Sequence, residues 1–392
     1  MVGDLKGKIC IITGGRAEWG LFYPLAKEIK RQKDSFILQI IATGAHFSKD
    51  YGLTYREIEK DGFRITRSIP MPISQDIAEG MIRAFGLGAV GLAGALNSTR
   101  PDLVVLLGDR FETLAAAVAC LFEKIPIAHI HGGELTEGSL DDSMRHAITK
   151  LAHIHFTAHE SYKKRVIQMG EDPSKVFYVG ALALSNIAGK KLLSKDILEK
   201  RLRFELGKDT ILVTFNPPTA SRRLQAEVQL KNLLYALDEL KDVRVIFTKS
   251  SPDIYSENFT RLLDKYISRR KNKCILRSSL GREVYLSLLK YVGAVVGNSS
   301  SGLIEAPSFG IPTVDIGDRQ KGRLRARSVI NCRPEKMHIL KAIKKALTED
   351  FRKKCKYVKN PYDKGDAAKN MVSILKKIHI DNSLVKKRFY DL

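Results

Sequence analysis

Acidic and imidazole side chains are concentrated in one stretch of the chain, HIHGGELTEGSLDDSMRHAITK. Among them are Glu134, Asp141, Asp142 and His131. Carboxylates and imidazoles are the side chains that most often move protons in enzymes. The stretch therefore has two interpretations. It is either a general acid–base site or a solvated loop followed by a helix, expected over Ser143–His153, whose start favours acids.

A further carboxylate, Asp109, directly follows the apolar run DLVVLLG. It could cap the helix that is expected to begin at Phe111, or it could take part in proton transfer. Glu134 follows two glycines, which allow a carboxylate to approach a ligand closely. We therefore treat Asp109 and Glu134 as the main acid–base candidates, with Asp141 or Asp142 as a third.

The two histidines His129 and His131 lie two positions apart and would share one face of a strand. Such a pair could ligate a metal, but its spacing matches no specific metal motif. The five cysteines are scattered without a Cys-x-x-Cys pair, which is typical of a reducing compartment. We expect no bound metal, and we count His131 among the acid–base candidates.

Two glycine-containing turns could bind phosphate. The segment GNSSSG, Gly297–Gly302, is expected between a strand and a helix, where hydroxyls and unpaired N–H groups form an anion site. The alternative is an ordinary helix cap. Arg319 and Arg323 would add positive charge. The turn that ends in Arg16 lacks G-x-G-x-x-G, so nicotinamide binding is not supported and no cofactor is expected.

Short apolar runs alternate with helical patterns along the chain, as in parallel sheets covered on both faces. Two such series predict two doubly wound, Rossmann-like α/β domains. We place them at residues 1–187 and 188–364, followed by a C-terminal helix and basic tail over 365–392. Ligands bind at the carboxyl ends of the strands in such sheets. The candidate residues follow strands, so they would line a cleft between the domains.

The composition restricts the class of partner. The chain has 392 residues, with 66 Lys and Arg against 43 Asp and Glu and a formal net charge of +23. Such a surface attracts anions. No interleaved aromatic and basic motif is present, so we expect no nucleic-acid partner. The polar N-terminus shows no signal peptide and the apolar runs are far short of a membrane span, so we expect a cytoplasmic protein that does not bind membranes.

Several motifs together resemble one protein family. GGRAEWGLFYPL, ATGAHFSKDYG, LGDRFETLAAA, the acid-rich stretch and GNSSSGLIEAPSFGIPTVDIGDRQKGR are similar, in this order, to the hydrolysing UDP-N-acetylglucosamine 2-epimerases. The resemblance implies a glycosyltransferase-B-like fold with the active site in the interdomain cleft. It also implies conversion of UDP-N-acetylglucosamine and water to N-acetylmannosamine and UDP, which feeds sialic-acid synthesis. A similar branch acts on UDP-2,4-diacetamido-2,4,6-trideoxyglucose in legionaminic-acid synthesis.

The implied reaction is an anti elimination of UDP to a glycal followed by hydration, which needs two acid–base groups. By resemblance, the residues that hold the diphosphate are Arg16, Ser299, Ser300 and Arg319. Glu305 would bind the ribose, and His46, Asn216 and Asn298 complete the predicted UDP-sugar site. The family also implies a homo-oligomer, either a dimer or a tetramer.

Two departures from the family pattern leave roles open. Asn216 stands where the family usually has a histidine, and an asparagine carries no charge and shuttles no proton at neutral pH. His131 stands where non-hydrolysing relatives have a glutamate, so either His131 or Glu134 could take the second proton-transfer role. A glycosyltransferase of the same fold and a non-catalytic relative are the alternatives.

Overall fold

The computed structural model describes most of the chain, namely residues 6–49, 52–71, 78–137, 139–187, 192–218, 223–249, 256–270, 272–278 and 280–392. Asp50, Tyr51 and Gly138, which belong to the motifs quoted above, lie outside these ranges, as do residues 188–191 at the predicted domain boundary. The chain divides into two compact units. The first comprises Met1–Glu134, Asp141–Ala188 and Tyr362–Leu392, and the second comprises Leu135–Leu140 and Gly189–Pro361.

The first unit is built around a parallel sheet of seven strands in the order β3-β2-β1-β4-β5-β6-β7. Its central strands are continuous apolar runs because helices cover both faces of the sheet. The strand order reverses between β1 and β4, which is the position where doubly wound sheets bind ligands. The strands are β1 (Gly7–Thr13), β2 (Phe36–Thr43), β3 (Arg67–Ile69), β4 (Leu103–Leu107), β5 (Ile127–Ile130), β6 (Ile154–Thr157) and β7 (Val176–Tyr178).

Amphipathic helices connect these strands. The first of them buries Trp19, Phe22, Leu25 and Ile29, spaced three or four positions apart, because these residues share the face that meets the sheet. The helices of this part of the chain are α1 (Arg16–Arg31), α2 (Tyr55–Lys60), α3 (Ala78–Thr99), α4 (Phe111–Phe122), α5 (Asp141–Leu151) and α6 (Glu160–Gln168).

The second unit repeats the same construction around a six-stranded parallel sheet in the order β10-β9-β8-β11-β12-β13. Its strands are β8 (Ile211–Thr214), β9 (Val245–Thr248), β10 (Cys274–Arg277), β11 (Ala294–Gly297), β12 (Thr313–Ile316) and β13 (Val329–Cys332). Its helices are α7 (Lys195–Leu202), α8 (Arg223–Asp238), α9 (Ser256–Ser268), α10 (Gly281–Leu289), α11 (Ser300–Ile304), α12 (Lys336–Leu347) and α13 (Glu349–Cys355). The predicted class, two Rossmann-like α/β domains, is confirmed.

The C-terminal segment belongs to the first unit. Its helix α14 (Ala367–Leu375) buries Met371 and Leu375 in the same apolar cluster as Trp19 and Ile29 of α1. The helix that is predicted within 365–392 is thus part of the first unit. An amphipathic helix needs an apolar partner, and here that partner is α1.

Helix α3 is the one helix of the described residues that is long and apolar enough to cross a membrane, by length and composition alone. The expectation that every apolar run falls far short of a membrane span is wrong for this helix. Ala84, Leu92 and Leu96 of α3 are fully buried, and the last two pack in one cluster with alanines of α4. The apolar character of this face is accounted for by its packing on the unit.

Candidate active site

Arg145, on α5, joins three of the predicted site residues in the first unit. Its guanidinium donates to the Asp109 carboxylate, and Nη1 donates to Asp142 Oδ1 at 3.0 Å and to the Glu134 carbonyl oxygen at 3.1 Å. Arg145 is fully buried. Partners of this kind are necessary because an unpaired charge in the interior is strongly destabilising. The sequence analysis missed Arg145, whose only signal was its position three residues after Asp142.

Asp109 follows β4 and precedes α4, but it does not cap that helix. The N-cap residue of α4 is Arg110, and no side chain accepts a hydrogen bond there. The capping interpretation of Asp109 is therefore wrong, and its carboxylate is bound by Arg145 instead. A guanidinium partner stabilises the ionised form of a carboxylate, which is the form that accepts a proton.

Asp141 and Asp142 both lie at the start of α5. Helix α5 begins at Asp141 and not at the predicted Ser143, so both acids lie in its first turn, where the helix dipole favours negative charge. Asp142 in addition pairs with Arg145 and lies 3.5 Å from His146 Nε2. Asp142 thus belongs to the ionic cluster around the buried Arg145, and the acid–base role of either residue stays a prediction.

His131 and Glu134 form a hydrogen-bonded pair directly after β5. Their Nδ1 and Oε1 atoms are 2.5 Å apart, and the Glu134 side chain is fully buried while that of His131 is 9% exposed. The His131 backbone lies in the left-handed region with φ +69°, which is uncommon for a residue other than glycine. Arg165 donates to the Gly133 carbonyl oxygen and holds the turn between the two residues.

His129 has a structural role. Its Nε2 lies 2.8 Å from the Gly108 carbonyl oxygen and its Nδ1 lies 3.2 Å from Thr149 Oγ1. Burial lowers the pKa of His129 to about 3, so the ring is neutral at physiological pH. Within the part of the chain that the structure describes, no group of three or more His, Cys, Asp or Glu side chains is placed to hold a metal.

Two buried glutamates that the sequence analysis did not single out lie near the ends of β1 and β4. Glu18 accepts hydrogen bonds from Gly14 N and from Thr113 Oγ1, and Glu112 pairs with Arg110 at 3.2 Å. Burial, together with the negative charge of Glu112, raises the pKa of Glu18 to about 7. The sequence signal was an acid soon after each strand end, in GGRAE and GDRFE.

The two other predicted ligand residues of the first unit differ in accessibility. Arg16 begins α1, pairs with Glu57 at 2.9 Å and keeps 18% of its side chain exposed. His46 is fully buried, and its ring nitrogens lie 3.1 and 2.9 Å from two threonine hydroxyls. Burial lowers the pKa of His46 to about 4. His46 thus makes hydrogen bonds within its own unit, and its contact with a UDP-sugar stays a prediction.

In the second unit, Asn298 joins the ends of β8 and β11. Its Oδ1 accepts from Asn216 N at 2.7 Å and its Nδ2 donates to Asn216 O at 2.8 Å. Gly297 precedes it with φ +138°, and a Cβ there would lie 1.9 Å from the Thr214 carbonyl oxygen, so only glycine fits. The Asn298 side chain therefore positions the loop of Asn216, and its role as a substrate ligand stays a prediction.

The serines after β11 and the residue Glu305 form a connected polar group. Ser299 Oγ accepts from Ser301 N at 3.4 Å, which agrees with the capping interpretation, and Ser300 is the first residue of α11. Ser301 Oγ is hydrogen-bonded to the Tyr285 hydroxyl. Burial raises the pKa of Glu305 to about 7, although a hydrogen bond from Ser301 acts in the opposite direction and lowers it.

The predicted positive charge lies next to these serines. Arg319 Nη1 is 3.4 Å from the Asn298 carbonyl oxygen, to which Gln320 Nε2 also donates at 2.9 Å. Arg323 Nη1 donates to Gln320 Oε1 at 3.1 Å. Hydroxyl groups and guanidinium groups are thus brought together at one end of the second sheet, a combination suited to phosphate oxygens.

Comparison with known proteins assigns the chain to a family. The UDP-N-acetylglucosamine 2-epimerase family matches residues 27–376. The GDP/UDP-N,N'-diacetylbacillosamine 2-epimerase (hydrolyzing) of Campylobacter jejuni is 42% identical over 388 residues, which cover 99% of this chain and 100% of that protein. The chain belongs to the hydrolysing UDP-N-acetylglucosamine 2-epimerase family. The resemblance seen in its motifs is thereby confirmed.

Other members of the epimerase family extend this result. The UDP-N,N'-diacetylbacillosamine 2-epimerase (hydrolyzing) of Legionella pneumophila is 33% identical over 380 residues, which cover 97% of this chain and 98% of that protein. The crystal structure of UDP-GlcNAc 2-epimerase from Neisseria meningitidis bound to UDP-GlcNAc matches with a TM-score of 0.80 and 19% identity, over 95% of this chain and 100% of that chain. The structural likeness confirms the predicted glycosyltransferase-B-like fold of this epimerase-family chain.

Proposed function

We propose that this chain is a hydrolysing 2-epimerase of a nucleotide-linked 2-acetamido sugar. A base removes the proton from C2 while the nucleoside diphosphate leaves C1, which gives a glycal. Water then adds to C1 and a proton returns to C2 on the opposite face, which releases a free sugar of manno configuration. The chemistry needs neither a redox cofactor nor an acceptor sugar.

The observation that carries this proposal is that candidate acid–base groups follow two adjacent parallel strands. Asp109 follows β4 and is paired with Arg145, whereas the His131–Glu134 pair follows β5, which is hydrogen-bonded to β4. Inversion at C2 requires proton removal on one face and proton delivery on the other, hence two separate groups. We assign the removal step to Asp109, whose carboxylate is positioned by Arg145.

Residues of the second unit support the nucleotide half of the proposal. Ser299, Ser300 and Arg319 would bind the diphosphate, because hydroxyls and a guanidinium match its oxygens and its charge. Arg16 of the first unit is proposed for the same task, and Glu305 for the ribose hydroxyls. Asn216 would contribute a neutral hydrogen bond. The placement of the site in a cleft between the domains stays a prediction.

We propose UDP-N,N′-diacetylbacillosamine, a 2,4-diacetamido-2,4,6-trideoxy sugar nucleotide, as the preferred substrate. Two relatives that match nearly the whole chain carry this sugar in their names, one of them with both GDP and UDP. UDP-N-acetylglucosamine, the substrate that the motif resemblance implies in the first place, is our second candidate. The predicted cytoplasmic location, the homo-oligomer and the link to sialic-acid synthesis belong to the same proposal.

Measuring the conversion of three substrates, each incubated separately with the purified protein, tests this proposal. These are UDP- and GDP-N,N′-diacetylbacillosamine and UDP-N-acetylglucosamine, with released nucleotide measured by chromatography and released sugar by NMR. We expect kcat/KM to be highest for UDP-N,N′-diacetylbacillosamine, by about tenfold or more, since the loss of one or two substrate contacts has effects of this size. A preference for UDP-N-acetylglucosamine would overturn the substrate, and turnover only with an added acceptor sugar would indicate a glycosyltransferase.

A further inference from the structure

The two members of the His131–Glu134 pair differ in what their atoms can reach. The Glu134 side chain is fully buried and its Oε1 is hydrogen-bonded to His131 Nδ1, whereas 9% of the His131 side chain is exposed to solvent. The other ring nitrogen, His131 Nε2, is buried and has no hydrogen-bond partner among the described residues. Buried polar atoms nearly always have a hydrogen-bond partner, so this nitrogen requires one that the described residues do not supply.

The turn that carries the pair is held in a fixed conformation. His131 N donates to the Phe156 carbonyl oxygen at 2.9 Å, and Arg145 Nη1 donates to the Glu134 carbonyl oxygen at 3.1 Å. At Gly133 a Cβ would lie 2.5 Å from the Tyr162 carbonyl oxygen, so the chain passes directly against α6. The left-handed backbone of His131 persists because these contacts impose it, and such strain is concentrated at functional sites.

We propose that His131 Nε2 delivers the proton to C2 in the hydration step, and that Glu134 is a positioning residue which holds the imidazolium through Nδ1. This inference rests on the proposed function and divides the second proton-transfer role between its two candidates. A carboxylate bonded to Nδ1 stabilises the protonated ring and fixes which nitrogen faces the substrate. Glu134 itself lies on the buried side of the pair.

The proposed step balances without a further reactant. The oxygen of water forms a bond to C1, and the electron pair of the C1=C2 bond takes the proton from His131 Nε2. The imidazolium becomes a neutral imidazole, and the proton that the attacking water loses then restores the imidazolium. The proton removed from C2 in the preceding elimination leaves Asp109 for solvent, and the electron pair of the broken C1–O bond leaves with the diphosphate.

His131→Asn tests the assignment, because asparagine is among the residues that tolerate a left-handed backbone. With the substrate that the wild type converts, we expect this variant to release nucleotide by elimination while the glycal accumulates, visible by its vinylic proton in NMR. Formation of the epimerised free sugar should fall about 10²- to 10⁴-fold relative to the wild type. In His131→Gly, which also fits this backbone, added imidazole should restore part of the hydration rate.

Two further variants separate catalysis from folding. Glu134→Gln keeps the shape of the positioning residue without its charge, and should show the same accumulation of glycal to a smaller extent. His159→Asn is the matched control, because His159 caps α6 by accepting from Ser161 N at 3.1 Å and asparagine caps helices equally well. This control should keep the wild-type ratio of epimerised sugar to nucleotide.

The outcomes distinguish this inference from the proposed function. If the wild type converts none of the nucleotide sugars, the proposed function itself fails. If the wild type is active and His131→Asn keeps its ratio of epimerised sugar to nucleotide, His131 is not the donor. If folded His131→Asn, with a wild-type circular dichroism spectrum, releases no nucleotide at all, the assignment to the hydration step is wrong.

Discussion

Arg145 donates a hydrogen bond from Nη2 to Oδ2 of Asp109, and the two residues are 36 positions apart in the sequence. The bond ties α5 to the end of β4. The same guanidinium also donates to Asp142 Oδ1 at 3.0 Å. The cation that holds Asp109 is therefore itself held in place by a second carboxylate. The position and charge of the proposed base therefore depend on a residue of another element.

Arg145→Lys should reduce turnover while leaving the chain folded. A lysine keeps the positive charge, but its single ammonium group cannot donate to Asp109, Asp142 and the Glu134 carbonyl oxygen in the same planar arrangement. We expect kcat to fall about 10- to 100-fold with little change in KM, since small displacements of a catalytic group have effects of this size. Steady-state kinetics alongside thermal unfolding measure both quantities.

The exposed Arg31, which pairs with Glu28, provides the matched control for this substitution. The Arg31 side chain is 57% exposed, so Arg31→Lys should change neither kcat nor stability measurably. Wild-type kcat in Arg145→Lys would show that Arg145 does not position Asp109.

Asp109→Asn should stop both halves of the reaction together. The amide has the shape of the carboxylate but cannot accept the C2 proton, and Asp142 remains as a partner for Arg145. Nucleotide release and formation of the free sugar should both fall about 10²- to 10⁴-fold, without accumulation of glycal. Nucleotide release at the wild-type rate would contradict the assignment of Asp109 as the base.

Gly297→Ala should destabilise the protein strongly. The added Cβ would lie 1.9 Å from the Thr214 carbonyl oxygen, and the residue has φ +138°, where side chains are strained. We expect a loss of at least about 2 kcal/mol in the free energy of unfolding, measured by denaturant titration. Gly94→Ala is the control, because its Cβ meets nothing within 4 Å and an alanine in the exposed part of α3 should stabilise by about 0.5–1 kcal/mol. Equal effects of the two variants would refute the steric argument.

Glu18 should make stability depend on pH in a defined window. Its folded-state pKa, raised from 4.5 to about 7 by burial and by Glu112, means that the folded state binds a proton more tightly than the unfolded state. The stabilisation linked to this proton is full below pH 4.5 and is lost as pH rises through about 7. Compared with Glu18→Gln, the wild type should therefore lose stability between these pH values in denaturant titrations. Parallel pH profiles of the two proteins would contradict this.

The sequence predicts the sheets and the strand-end residues well because both depend on local patterns. Each predicted strand is a short apolar run, and the parallel arrangement alone brings Asp109 and His131 to the same edge of the first sheet. The hydrogen-bond partners of these residues cannot be predicted in the same way. That Arg145 points toward Asp109 depends on how α5 packs, which no local pattern of the sequence expresses.

Other features that local patterns do not express have the same origin. His46 and Asn298 have the residue types of ligands and follow strands, but the sequence does not show the hydrogen bonds that each makes within its own unit. The helix α14 has an apolar face, yet the sequence does not say that this face packs on α1 and returns the C-terminus to the first unit. Long-range packing decides these features.

The central claim is that C2 of the sugar loses its proton and receives another from the opposite face. Incubation of the protein with UDP-N,N′-diacetylbacillosamine in deuterated water, followed by proton NMR, tests it directly. We expect a free sugar of manno configuration with deuterium at C2, formed together with UDP. A released sugar of gluco configuration that keeps its hydrogen at C2 would mean simple hydrolysis and would refute the elimination–hydration mechanism.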